Sequence, residues 1–207
     1  VDVLRGSAAM LFGRGQAGGV INQVSKTPML YGINKAGVGI GTNGFQEVKA
    51  DINQRVGEST AVRLNVMNRD EGSARSNPYT GTEPEIHRSG VAPSISFGLG
   101  TPHEVTLSHL WVKTRDNADY GIPFVNRRPD EAMAKAGNYY GVDAGFDNSD
   151  TNVTTASYLH TISPDTQWRT VLRKANYKRS YWAVAGQGTL TAASTSGQAK
   201  TREFETD

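Results

Sequence analysis

The sequence predicts an all-β protein: a transmembrane antiparallel up-and-down β-barrel fold, of which about seven or eight strands are read, with a short α+β stretch in front of it. Three observations lead there. Apolar residues recur with period two from Tyr31 onward, as in half-buried strands, and not with the 3.6 of a helix. Tight turns alternate with long loops along the chain, the wiring of a barrel with one short-turned and one long-looped end. The polar positions of the strands are often charged, which suits a wet lumen and not the interior of a soluble sandwich.

In chain order, strands are expected near residues 32–42, 46–57, 61–73, 87–100, 104–116, 152–162 and 167–180, with a last one starting near 201. In the first, Ala36, Val38 and Ile40 alternate with Lys35, Gly37, Gly39 and Gly41. The second shows the pattern most clearly: Val48, Ala50, Ile52 and Val56 fall on even positions, and Glu47, Lys49, Asp51, Asn53 and Arg55 on odd ones. The third continues it with Val62, Leu64 and Val66 against Arg63, Asn65 and Met67; Arg69 adds a further charge. In the fourth, Val91, Pro93, Ile95, Phe97 and Leu99 alternate with small or polar residues. This density of glycine and β-branched residues at period two is hostile to a helix. Strands of roughly 11 to 14 residues also exceed the mode of about 5–6 for globular sheets.

The connections have their own regularity. Gly57-Glu58-Ser59-Thr60, Thr101-Pro102-His103 and Ser163-Pro164-Asp165-Thr166 are tight, whereas the links after the third, fifth and seventh strands are long. Thr42-Asn43-Gly44-Phe45 is short out of turn, and its Asn-Gly pair is a strong hairpin signal.

Composition closes other doors. The 207 residues include no cysteine, which excludes a disulfide scaffold, a thiolate metal site and a cysteine nucleophile. A net charge of +2 is too small for a dedicated nucleic-acid binder. Hydrophobic content is 37%, and no run approaches the roughly 18 apolar residues of a membrane-spanning helix, as a barrel requires when only every second residue meets lipid. Neither H-E-x-x-H nor G-x-S-x-G occurs, so no enzyme is expected. The histidines (His87, His103, His109, His160) show no ligand spacing, and His103, in a turn, reads as a solvated side chain. The chain opens at Val1 without an initiator methionine and stops at Asp207 within a strand-like stretch, so a fragment of something larger is expected.

Val1 to Pro28 departs from the alternation. A short strand, Val1-Asp2-Val3-Leu4, leads to a short helix, Ser7-Ala8-Ala9-Met10-Leu11-Phe12, then to a glycine-rich stretch and a second strand from Gly19 to Ser25. Gly13-Arg14-Gly15-Gln16-Ala17-Gly18 matches G-x-G-x-x-G literally. That fingerprint must leave a strand and open a helix to place a pyrophosphate on the helix N-terminus. Here a helix precedes and a strand follows, so a dinucleotide enzyme is disfavoured; whether residues 19–25 are strand or helix decides the matter.

The same residues carry a resemblance. Val1-Asp2-Val3-Leu4-Arg5-Gly6-Ser7-Ala8-Ala9-Met10-Leu11-Phe12-Gly13, followed by Gly18-Gly19-Val20-Ile21-Asn22-Gln23-Val24-Ser25-Lys26-Thr27-Pro28, resembles the plug-domain signature of TonB-dependent siderophore receptors. Ser7 stands where that family most often has proline, a mild departure because serine caps helices well. Asp119-Tyr120-Gly121-Ile122-Pro123-Phe124 and Asn138-Tyr139-Tyr140-Gly141 look like the third extracellular loop of ferric-siderophore members.

The resemblance implies an α+β plug domain ending at residue 29 and the N-terminal part of an outer-membrane barrel over 30–207, in the outer membrane of a Gram-negative bacterium. It implies a ferric siderophore as ligand, the TonB energy-coupling protein and outer-membrane lipid as partners, and a monomer. Iron would arrive inside its chelator, with no resident cofactor or protein-bound metal. Arg5 would be a plug arginine that pairs with barrel glutamates, and Gly6, Gly13, Gly18, Gly19 and Asn22 would be plug scaffold.

Ligand contacts are expected from Arg14, from Tyr120, Phe124, Arg127, Arg128, Tyr139 and Tyr140 in the long loop, and from Lys178, Arg179, Tyr181 and Trp182 at the top of the seventh strand. An anionic, aromatic catecholate chelate calls for cations and aromatic faces together. Trp111 and Trp168 are assigned to the interfacial girdle or the lipid face. A receptor for haem or cobalamin and a passive porin-like channel are the alternatives, the latter opposed by the plug-like segment.

Overall fold

The computed structural model describes residues 2–5, 19–22, 24–77, 81–117, 124–125, 128–129, 131, 137–138, 145–184 and 197–206. Two short strands, β1 (Asp2–Arg5) and β2 (Gly19–Asn22), pair antiparallel, with Arg5 opposite Gly19 and Asp2 opposite Asn22. Residues 19–22 are therefore strand, and the antiparallel pairing removes the parallel βαβ context a dinucleotide fingerprint needs. Gly6, Gly13, Arg14, Gly18 and the expected helix over 7–12 lie outside the described residues.

The rest is one antiparallel sheet built from β3 (Ile33–Ile40), β4 (Gln46–Arg55), β5 (Ala61–Gly72), β6 (Glu85–Phe97), β7 (His103–Asp116), β10 (Phe146–Ser163), β11 (Thr166–Val184) and β12 (Gly197–Thr206), each beside its predecessor in that order. A two-residue hairpin, β8 (Phe124–Val125) with β9 (Arg128–Pro129), lies within the long connection between β7 and β10. The expected strands match this closely. The exceptions lie at the long-loop ends of the last three strands: β10 starts at Phe146 and not near 152, β11 continues to Val184 and not 180, and β12 starts at Gly197 and not near 201. Asp147-Asn148-Ser149-Asp150-Thr151 reads as loop by composition, yet it pairs on both sides, with β7 and with β11. Cross-strand ion pairs compensate for its low β-propensity: Arg115 to Asp150 at 2.9 Å, and Arg179 to Asp147.

Turn chemistry follows the sequence. Asn43 and Gly44 both take positive φ (57° and 68°), the conformation that matches the twist of a tight hairpin between β3 and β4. Between β6 and β7, Gly98 has φ 71°, and a Cβ there would lie 1.9 Å from the His103 carbonyl oxygen, so glycine is required twice over.

The decisive feature is the inversion of the two faces. On β4 and β5, Val48, Ile52 and Leu64 are 55%, 42% and 38% exposed, while Asp51, Asn53 and Arg63 are 8%, 0% and 5% exposed. Register carries this division across the sheet. The outer face gathers Val38, Ile40, Val62, Val91, Ile95, Phe97, Val105, Leu107 and Trp111, and the inner face holds the polar series. A soluble protein would bury the first set. An apolar band facing outward, with charge facing inward, is the pattern of a barrel solvated by lipid. Among the described residues no helix is long and apolar enough to cross a membrane, which is silent about strands.

Near the short turns the outer face ends in rings. His103, the first residue of β7, stacks on His160 with centroids 4.3 Å apart, and its Nδ1 lies 2.8 Å from the Tyr158 hydroxyl. Trp168 is opposite His160 in the ladder and 64% exposed. The reading of His103 as a solvated turn residue is thus corrected: the strand begins one residue earlier than expected, and register places it beside two rings. Trp111 and Trp168 both stand on the outer face, as expected of girdle or lipid-facing residues.

Candidate functional site

The inner face of β4 and β5 grips the chain segment that enters the sheet. Asp51 and Arg63 form a bidentate pair, Nε to Oδ1 and Nη2 to Oδ2, each 2.8 Å. The third donor of that guanidinium, Nη1, reaches the Thr27 carbonyl at 2.8 Å, and Lys26 Nζ donates to Asp51 Oδ2 at 2.8 Å. One register step along, the fully buried Asn53 accepts from the Met29 amide at 2.9 Å and donates to the carbonyls of Met29 (2.8 Å) and Tyr31. An extended segment has no partner strand for its own amides, and these side chains supply the missing hydrogen bonds. A buried ion pair contributes little net stability unless its remaining donors are met, and here the backbone of Thr27 and the Lys26 ammonium meet them.

This clamp lies toward the short turns. At the long-loop end, the inner face carries ion pairs on neighbouring strands: Arg69 with Glu71, Arg88 with Asp116 (2.8 Å), and Arg179 with Asp147. Aromatic rings accompany the guanidiniums. Arg69 lies 5.2 Å from the Phe45 ring centroid, Arg179 lies 5.1 Å from that of Tyr181, and Arg173 Nη2 donates to the Tyr177 hydroxyl at 2.9 Å. Cations and rings thus face the lumen together, the combination that an anionic aromatic guest requires. Among the described residues no group of three or more His, Asp or Glu is placed to hold a metal ion.

The structure separates the residues the sequence grouped on the last long strand. Arg179 and Tyr181 share the inner face with Ala175, Arg173 and Tyr177. Lys178 and Trp182 stand on the outer face, opposite Asp150 and Phe146. Adjacent residues of a strand point to opposite sides, so Lys178 and Arg179 cannot act on one lumenal ligand, and the expectation that all four contact it is corrected for Lys178 and Trp182. Phe124 pairs with Pro129, and Arg128, which is exposed, pairs with Val125. Tyr120, Arg127, Tyr139 and Tyr140 lie outside the described residues. Arg5, Gly19 and Asn22 are placed by backbone only, in the β1–β2 pair.

Asp51, Asn53 and Arg63 were legible only as polar positions of alternating strands, and Lys26 only as part of the plug-like segment that precedes them. The contacts that give them a role span 12 to 36 residues along the chain, beyond any local pattern.

Comparison with known proteins places this geometry. No family model matches the chain. The catecholate siderophore receptor Fiu of Escherichia coli O157:H7 is 33% identical over 201 residues, covering 91% of this chain and 26% of that protein. The open form of the ferric-catecholate import receptor Fiu from E. coli K12 superposes with a TM-score of 0.77 at 30% identity, covering 98% of this chain and 33% of that one. The siderophore receptor PiuA from Acinetobacter baumannii gives a TM-score of 0.76 at 31% identity, covering 87% of this chain and 26% of its own. The chain therefore spans about a quarter of the length of the curated relatives it matches. By sequence and by backbone, it belongs with the TonB-dependent siderophore receptors, as a segment of their fold.

Proposed function

We propose that the full protein is an outer-membrane receptor that binds a ferric siderophore of the catecholate class and takes it up actively, with energy delivered through TonB. In this reading residues 1–29 close a plug domain and residues 30–207 begin the barrel wall that surrounds it. Iron is cargo within its chelate, no resident cofactor is involved, and the protein acts as a monomer in the outer membrane, transporting and not transforming its ligand. The observation that carries the transport reading is the inverted sheet whose polar face grips an entering segment through Asn53, Asp51 and Arg63. A passive pore has no use for such an anchor. Relatives that are catecholate receptors support the ligand class.

Within this reading Arg173, Tyr177, Arg179 and Tyr181 contribute to the ligand vestibule, and the long loop adds Tyr120, Phe124, Arg127, Arg128, Tyr139 and Tyr140, with Arg14 from the plug. The test is equilibrium binding of a radiolabelled ferric catecholate to the full-length receptor. Replacing Arg179 and Tyr181 together by alanine is expected to weaken binding at least tenfold, since a cation and a stacking face are both lost. Lys178→Ala is expected to leave it unchanged. Equal losses, or none in the double variant, would overturn the assignment.

A further inference from the structure

Two histidines far apart in the sequence meet on the outer face, at the short-turn end of β7 and β10. His103 and His160 are register partners. One step beyond them, the Thr161 amide donates to the Pro102 carbonyl at 2.8 Å, so that step is the hydrogen-bonded position of the ladder. His103 and His160 therefore occupy a pair without mutual backbone bonds. Side chains come closest at pairs of that kind, where Cα atoms stand about 4.5 Å apart. Accordingly the two imidazoles stack with centroids 4.3 Å apart, 21° from parallel.

The surroundings leave both rings with a nitrogen to offer. His103 Nδ1 lies 2.8 Å from the Tyr158 hydroxyl oxygen. With Nδ1–H donating to that oxygen, Nε2 keeps its lone pair. Histidines that ligate metals are oriented in this way, the second nitrogen being fixed by an oxygen acceptor. Among the described residues His160 has no hydrogen-bonding partner at either nitrogen. Trp168, its other register partner, directs its own N–H to the Thr170 hydroxyl at 2.9 Å. A polar nitrogen left bare at the edge of an apolar face is costly. From this end up to Leu107, Ala156 and Leu172, no lysine or arginine shares the outer face of β7, β10 and β11, so no fixed positive charge there repels a cation.

We propose that His103 and His160 form a binding site for a divalent transition-metal ion of the imidazole-preferring class, copper(II) or zinc(II), with Tyr158 as the positioning residue. Two nitrogens bound at about 2.0–2.1 Å in a tetrahedral arrangement stand about 3.4 Å apart, a spacing that rings with centres 4.3 Å apart reach by small side-chain rotations. Water completes the coordination. Magnesium and calcium, which take oxygen ligands, do not suit this pair. The bound ion bridges β7 and β10, the two strands that flank the long connection. It faces away from the lumen, so it is separate from the vestibule and from iron carried as cargo, and the site does not depend on the transport reading.

The test uses the full-length receptor in neutral detergent with copper(II) ions as probe. Bound copper is counted after equilibrium dialysis, and its nitrogen ligands are read by electron paramagnetic resonance. His103→Phe and His160→Phe each keep a ring in the stack and remove one ligand, and either alone suffices. Each is expected to weaken binding at least about tenfold and to abolish the splitting from a second nitrogen. Tyr158→Phe removes the orienting oxygen and should weaken binding about tenfold, the low end for such partners, with both nitrogens still seen. His109→Phe is the control, because His109 lies on the same face, bonded to Thr154 at 2.9 Å, with no second imidazole beside it; it should bind copper(II) as the unaltered receptor does. Excess zinc(II) should displace the copper and magnesium should not. Heat-modifiable mobility shows that each variant is folded. Unchanged copper(II) binding in either folded histidine variant overturns the site, and so does a single-nitrogen signal from the unaltered receptor. An equal loss in His109→Phe overturns it as well, since binding would then be spread over exposed histidines.

Discussion

Removal of the Asn53 side chain tests whether the inner wall holds the entering segment. The carboxamide is fully buried and makes three hydrogen bonds to the backbone of Met29 and Tyr31. At about 1 kcal/mol net for each, Asn53→Ala removes about 3 kcal/mol of local stability. Each 1.4 kcal/mol is tenfold in an equilibrium, so the segment should open about 100-fold more often. Water entering the lumen can satisfy part of what is lost, which sets a floor near tenfold. Hydrogen exchange of the full-length receptor, read by mass spectrometry on peptides that contain Met29–Tyr31, measures this directly, because the Met29 amide is one of the three donors concerned. Peptides from the β6–β7 ladder serve as the reference and should not change. Protection of Met29–Tyr31 altered less than twofold, with the barrel intact, would refute the clamp.

Three further outcomes follow from the same geometry. Asp51→Ala leaves the 5%-exposed Arg63 without its carboxylate and should cost about 3–5 kcal/mol in urea unfolding of the refolded receptor, whereas Asp51→Ala/Arg63→Met should cost measurably less than the sum of the single changes. Leu64→Arg on the outer face should cost about 2–4 kcal/mol in refolding into vesicles if it lies near the bilayer midplane, while Met67→Arg on the inner face should cost little; similar costs would contradict the inversion of the faces. Gly98→Ala meets the His103 carbonyl oxygen at 1.9 Å as well as a left-handed φ, whereas Gly44→Ala meets only the φ; the first should lower thermal stability at least twice as much as the second, which costs about 1–2 kcal/mol.

Ion pairing in the lumen bears on how a ligand is admitted. Arg69, Arg88 and Arg179 each face an acidic partner at the rim. A fixed salt bridge holds a guanidinium in place before a guest arrives, and an anionic guest then competes with the carboxylate for it. The rings beside Arg69 and Arg179 give a flat guest a second contact that the carboxylate cannot offer.

The sequence by itself determined the strands, their order and the tight turns, because these depend on local chemistry. Period two in residues 46–56 and Asn43-Gly44 at a hairpin act within a few residues of where they stand. It also indicated the inversion of the faces, since the charged positions fall on one side of each strand. Tertiary structure alone decided what the charged positions do. Asp51 and Asn53 look like any polar strand residues until Thr27, Met29 and Tyr31 are laid across them, and Arg63 until Asp51 faces it from the next strand. The five residues from Asp147 to Thr151 look like loop until strands on both sides complete their hydrogen bonds. Lys178 and Arg179 are neighbours in sequence and strangers in space. The pleat sends one toward lipid and the other toward the lumen, and only register with β10 fixes which is which.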